Sequence, residues 1–126
     1  VGNPTKGTRE TFEIVQLLVD LYRCDSNLDD AEFLLGTLER AADEVGAKVI
    51  RKVTQRFSPQ GVSVILILAE THLSIHTWPE HGYAAVDIFI CGEGKDPEVA
   101  WKVIRETLKP SSFRMNKINR TVGPRK

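Results

Sequence analysis

Hydrophobic residues alternate with polar or mixed ones from Phe12 to Tyr22. Val15, Leu17, Val19 and Leu21 share one side, and Gln16, Leu18, Asp20 and Tyr22 share the other. A period of two predicts a β-strand. The period changes in SNLDDAEFLLGTLERAADEVG, where Ala31, Leu34, Leu35, Leu38, Ala41, Ala42 and Val45 recur every three or four positions. This is the apolar stripe of a helix, entered through a capping box of Ser26 and Asp29 and ended at Gly46. Ala47 to Phe57 reads as a strand closed by the turn SPQG. Val62 to Ala69, rich in β-branched residues and leucine, reads as a central strand buried on both faces. Tyr83 to Cys91 predicts a strand with two unlike faces. Ala84, Val86, Ile88 and Ile90 are uniformly apolar and suit packing on helices, whereas Tyr83, Ala85, Asp87, Phe89 and Cys91 are too polar for a plain core. Asp96 and Pro97 open a second helix with the stripe Val99, Ala100, Val103, Ile104 and Leu108, which Lys109-Pro110 stops. A last strand spans about Phe113 to Ile118.

The order β-α-β-β-β-α-β predicts an α+β fold. It is expected to be a two-layer α/β sandwich, a mainly antiparallel sheet with two helices on one face and the other face free for a partner or a site. The turn-rich start VGNPTKGTRE makes residues 1–11 an expected flexible segment, with residues 12–126 as a single domain. A chain of 126 residues with 41% hydrophobic composition has enough apolar surface for one core. Lys+Arg and Asp+Glu balance at 17 each, so no overall field points to nucleic acid or an anionic membrane. The basic C-terminal run of Lys109, Arg114, Lys117, Arg120, Arg125 and Lys126 reads as a solvated strand and tail. Cys24 and Cys91 make no disulfide framework, nothing resembles a signal peptide, and the longest apolar run is too short to cross a bilayer. The expectation is a soluble, cytoplasmic protein.

Candidate chemistry concentrates in AETHLSIHTWPEHGYAAVDIFICGEG, which holds all 3 histidines of the chain, His72, His76 and His81. His72 and His76 have the four-residue spacing that joins two metal ligands on a helix. The stretch is β-rich and meets Pro79, however, and on a strand four positions span roughly 13 Å at about 3.3 Å per residue. A zinc ion needs its nitrogens about 2 Å away, so these two cannot share one. Ser63, Ser74, His76, Asp87 and Cys91 supply the parts of a nucleophilic triad, but no local signature assembles them. Taken singly, each histidine is best read as hydrogen-bonded to loop carbonyls.

The string ETHLSIHTWPEHGYAAVDIFICGE as a whole resembles the signature region of the prokaryotic S-adenosylmethionine decarboxylases. The likeness is detailed from about Arg56 to Glu93, through RFSPQGVSV, HLSIHTWPE and GYAAVDIFICGE, and extends more weakly to LLVDLYRCD and both helices. It implies a proenzyme that cuts its own chain to make a pyruvoyl group, and so needs neither pyridoxal phosphate nor metal. That ketone forms a Schiff base with the substrate amine and takes up electrons as carbon dioxide leaves. Position by position, the resemblance implies cleavage between Glu70 and Thr71, with Thr71 as cofactor precursor. It gives His76 and Ser63 roles in processing and Cys91 the role of proton donor. Phe57, Trp78 and Glu80 are implied at the nucleoside of S-adenosylmethionine, and a homodimer with sites at the subunit interface is implied as the assembly.

Two positions depart from the family pattern. The family's precursor residue is serine, and here it is Thr71. Threonine has the β-hydroxyl and the Cα hydrogen that the reaction needs, but its hydroxyl is secondary and its χ1 restricted. Its product is a 2-oxobutanoyl group, with one more methyl for a tight pocket to accept. Ser74 is no substitute, because three positions along a strand it faces the other way. The second departure is Gln16, which stands where the family has a histidine before the core of the first strand. Three functions follow: a self-cleaving S-adenosylmethionine decarboxylase of polyamine synthesis; an uncleaved or processing-blocked homologue with a regulatory role; or a related decarboxylase of arginine or ornithine.

Overall fold

The structure, a computed structural model, describes residues 11–25 and 27–124. Six strands and two helices alternate as β1 (Phe12–Cys24), α1 (Ala31–Val45), β2 (Val49–Arg56), β3 (Val62–Leu68), β4 (His72–Trp78), β5 (Tyr83–Ile90), α2 (Pro97–Leu108) and β6 (Pro110–Val122). A single 3-10 turn, Pro79–His81, links β4 to β5. The strands form one sheet in the order β2-β3-β4-β5-β1-β6, and every neighbouring pair is antiparallel. The α+β sandwich expected from the pattern is the architecture found. It has one strand more than expected, because His72–Trp78 is a strand of its own between β3 and β5.

The core lies between the sheet and the helices. Leu17, Val19 and Leu21 of β1, Val62, Val64 and Leu66 of β3, Leu73 and Ile75 of β4, and Val86 and Ile88 of β5 all turn toward α1 and α2 and are buried. Burying each such side chain contributes about 1.5–3 kcal/mol, which fixes the register because a one-residue slip would turn every one outward. β3 is buried on one face only. Ile65 is half-buried and Ile67 is exposed, contrary to the strand buried on both faces that its apolar run suggests. The sheet's second face carries no helix, so apolar composition there signals an unpaired surface rather than a second layer.

The helix ends correct two expectations. The N-cap of α1 is Asp30, whose Oδ1 accepts from the Phe33 amide at 3.0 Å. Ser26, expected in the cap, lies outside the described residues, as do residues 1–10 of the expected flexible segment and the basic pair Arg125 and Lys126. Asp29 instead accepts from the Gly61 amide at 2.8 Å, tying the start of α1 to the β2–β3 turn. Gly46 ends the helix in the left-handed conformation, as expected. In α2, Asp96 caps and Pro97 starts the first turn, but Trp101 is buried where Val99 is exposed. Trp101 packs edge-on against Phe113 of β6, which rotates the buried stripe by part of a turn. The last strand is longer than expected and begins directly at Pro110. No helix among the described residues is long and apolar enough to cross a membrane.

Candidate active site

The open face of the sheet is built from the alternate residues of each strand that the core does not use. Ser63 from β3, His72, Ser74 and His76 from β4, Tyr83, Asp87 and Phe89 from β5, Gln16 and Asp20 from β1, and Arg120 from β6 all belong to it. Their chemistry separates into two clusters.

The first surrounds the β3–β4 hairpin. Leu68 and Thr71 close it, the Leu68 amide donating to the Thr71 carbonyl at 2.8 Å, so Ala69 and Glu70 form a two-residue loop. Glu70 has a φ of +84°. Its Oε1 accepts from the Cys91 thiol at 3.6 Å. Thr71 is buried, and its hydroxyl has no hydrogen-bond partner among the described residues. Cys91 is buried at the end of β5. The other cysteine, Cys24, is remote from the hairpin and burial pushes its thiol up to about 11, so at neutral pH it stays a neutral thiol.

The second cluster sits at the far end of the same strands. Ser63 and His76 are cross-strand partners, and Ser63 Oγ lies 2.5 Å from His76 Nδ1 in a shared hydrogen bond. They line a cavity of about 400 Å³ with Phe57, Gly61, Trp78 and Glu80. Phe57 and Trp78 are 53% and 43% exposed, two large aromatic faces left open in one cleft. Two features hold the cleft in shape. Thr77 Oγ1 donates to the Leu28 carbonyl at 2.7 Å and accepts from the Val62 amide at 3.0 Å. Gly61, at φ +109°, closes the turn on Phe57, and a Cβ there would meet the Thr77 carbonyl at 3.3 Å. Trp78 also leans on Tyr83, whose phenol burial and the Asp20 carboxylate hold protonated, pushed up to about 12.

The structure thus joins Glu70 with Cys91, and Ser63 with His76, Phe57, Trp78 and Glu80. It does not join the two groups within one chain. Five strand positions separate Thr71 from His76, about 16 Å at about 3.3 Å per residue. Between the clusters lies a chain of polar contacts that the sequence pattern does not reveal. Arg120 donates to Gln16 Oε1 at 3.1 Å, Gln16 Nε2 to Asp87 Oδ1 at 2.9 Å, and His72 Nε2 to Asp87 Oδ2 at 3.0 Å. The one signal for it is Asp87, a carboxylate in an otherwise apolar strand. His72 is therefore held by a side chain rather than by a loop carbonyl, and Gln16 is the link between Arg120 and Asp87. His81 lies exposed in the 3-10 turn. Among the described residues, no three His, Cys, Asp or Glu side chains are grouped to hold a metal ion.

Comparison with known proteins decides the family. The sequence profile of S-adenosylmethionine decarboxylase matches residues 15–121. The chain belongs to the S-adenosylmethionine decarboxylase family. A relative from Synechococcus sp. (strain WH7803), named S-adenosylmethionine decarboxylase proenzyme, is 52% identical over 93 residues, 73% of each chain. One of the same name from Methanococcus aeolicus is 49% identical over 105 residues, 82% of this chain and 90% of the relative. The crystal structure of the adenosylmethionine decarboxylase from Aquifex aeolicus matches with a TM-score of 0.77 at 33% identity, over 94% of this chain and 96% of that one. The Synechococcus and Methanococcus relatives are named as proenzymes, and Thr71, a residue with a β-hydroxyl, stands directly before β4 here.

Proposed function

We propose that this chain is a self-processing S-adenosylmethionine decarboxylase proenzyme that works as a homodimer. The observation that carries the reading is the setting of Thr71, a buried and unpartnered hydroxyl directly after Glu70 in a tight hairpin beside Cys91. Thr71 Oγ1 attacks the carbonyl carbon of Glu70. The C–N bond breaks, a C–O bond forms, and the hydroxyl proton ends on the freed Thr71 amine, giving an ester. Removal of the Thr71 Cα proton then expels the Glu70 carboxylate. The resulting enamine takes up a proton at Cβ to become an imine, which water hydrolyses to ammonia and a 2-oxobutanoyl group at the new N-terminus. When formed, that ketone supplies the electron sink for decarboxylation.

The chain's other residues take the remaining roles. His76, oriented by Ser63, is the base of processing. Cys91 is the acid that protonates the decarboxylated carbon, a sensible donor because thiols titrate near 8.5. Phe57 and Trp78 stack on the adenine and Glu80 accepts from the ribose hydroxyls. The product is the aminopropyl donor of polyamine synthesis. The relatives' names favour S-adenosylmethionine over arginine or ornithine as the substrate.

The separation of the two clusters supports a dimer. Thr71 needs a base that its own chain holds about 16 Å away along β4. Two chains stacked through their open faces about a two-fold axis would bring the Ser63–His76 pair of each to the hairpin edge that holds Thr71 in the other. Exposed Val53, Ile67, Ile118 and Val122 lie on that face and supply apolar area for the contact. An isologous interface of this kind is the commonest among soluble oligomers.

Denaturing intact mass tests the reading. Fragments of residues 1–70 and 71–126 are expected, and a single 14.1 kDa species would overturn it. Carbon dioxide released from carboxyl-labelled S-adenosylmethionine, and not from arginine or ornithine, would fix the substrate.

A further inference from the structure

Glu70 is one of three non-glycine residues with positive φ among the described residues, with Arg23 and Lys109. Lys109 has an ordinary reason, since it caps α2 in the left-handed conformation with its amide bonded to Arg105. Arg23 lies at the end of β1, where the next amide bonds to Gly82. Glu70 has no such role. It occupies the second position of a two-residue hairpin loop, where a φ of +84° calls for glycine or asparagine. Three contacts prevent it from relaxing: the Leu68 amide on the Thr71 carbonyl at 2.8 Å, the Ala69 amide on the Lys48 carbonyl at 3.0 Å, and the Cys91 thiol on Glu70 Oε1. The strained residue contributes the very carbonyl that Thr71 is to attack.

We propose that the left-handed backbone of Glu70 raises the uncleaved chain in free energy and thereby speeds cleavage at its own carbonyl. The proposal rests on the self-processing reading. Strain of this kind persists only where the surroundings overdetermine it, and here they do. The acyl shift relieves it. Rerouting the connection through Thr71 Oγ1 and Cβ in place of the amide nitrogen lengthens the loop by one atom and replaces the rigid amide with an ester, so the hairpin no longer dictates the torsions of Glu70. Elimination then makes Glu70 a free chain end. Strain present in the reactant and lost along the path lowers the barrier, which lets a secondary hydroxyl act as nucleophile. Glu70 is on this account a positioning residue, acting through its backbone.

The test compares Glu70→Ala, Glu70→Asn and Glu70→Gly. All three lack the carboxylate and differ in what a left-handed φ costs, alanine most and glycine least. Each chain is made by pulse-labelled cell-free synthesis, and fragment appearance is followed with the thermal midpoint of the uncleaved form. The series is repeated with Thr71→Ser to keep rates measurable. The expected order of cleavage is Ala, then Asn, then Gly, with Gly at least tenfold slower than Ala while melting higher. Equal rates in all three, or a glycine variant as fast as alanine, would overturn the proposal while leaving self-processing intact. No cleavage in any chain, including those with Ser at position 71, would remove the self-processing reading and the proposal with it.

Discussion

On the self-processing reading, Thr71 has to do what the resemblance assigns to serine. The extra methyl acts twice. It makes the hydroxyl secondary and limits χ1, so fewer rotamers aim Oγ1 at the Glu70 carbonyl. It also remains on the ketone after processing. Burial without a hydrogen-bond partner works in the opposite direction, because no acceptor has to be given up before Oγ1 can move onto carbon. If rotamer restriction limits the rate, Thr71→Ser should cleave about tenfold faster, equivalent to about 1.4 kcal/mol off the barrier. The first-order appearance of the two fragments on denaturing gels measures this. A serine variant no faster than the parent chain would place the limit in a later step, removal of the Cα proton.

At the scale of elements, alternation makes β1 and β5 legible, and the helices follow from their stripes and from Gly46, Asp96 and Pro97. The strand His72–Trp78 is hidden, because the turn before it contains no Gly, Asn or Pro. The chain turns instead on Ala69 and a left-handed Glu70, so the missing sequence signal and the backbone strain are one feature. The cap of α1 is obscured for a similar reason, since Asp29 is committed to Gly61 and only the structure shows that long-range bond. The candidate site residues are named through resemblance alone. Their pairings are not legible, because Ser63 with His76 and Glu70 with Cys91 depend on strand register, and the Gln16–Asp87–His72 chain crosses three strands. Gly61 is where an element-level prediction is sharpest. An alanine there combines an unfavourable φ with a close approach to the Thr77 carbonyl. Gly61→Ala should cost about 1–3 kcal/mol in chemical denaturation and weaken nucleoside binding through the displaced Phe57. A variant with unchanged stability would show that the turn relaxes freely and that Phe57 is not set by it.

For the whole molecule, the distribution of chemistry along β4 decides what can be active. On the self-processing reading, a monomer carries its nucleophile, Thr71, just before β4 and its base, His76, toward the far end, with the Asp87–His72 contact between them. Rotating His76 cannot close a gap of about 16 Å, since its side chain spans less than half of that. Two chains, each lacking one function, should therefore complement each other. Thr71→Ala has no nucleophile and His76→Ala no base, so each alone should remain uncleaved. Co-expressed, they form mixed dimers in which the His76→Ala chain presents its own Thr71 to the intact His76 of the Thr71→Ala chain. Half of the dimers are mixed if association is random, so up to half of the His76→Ala chains should be cut, and none of the Thr71→Ala chains. Different affinity tags on the two chains let intact mass read each one separately. Cleavage in neither chain would overturn the reading in which the base of one subunit serves the nucleophile of the other.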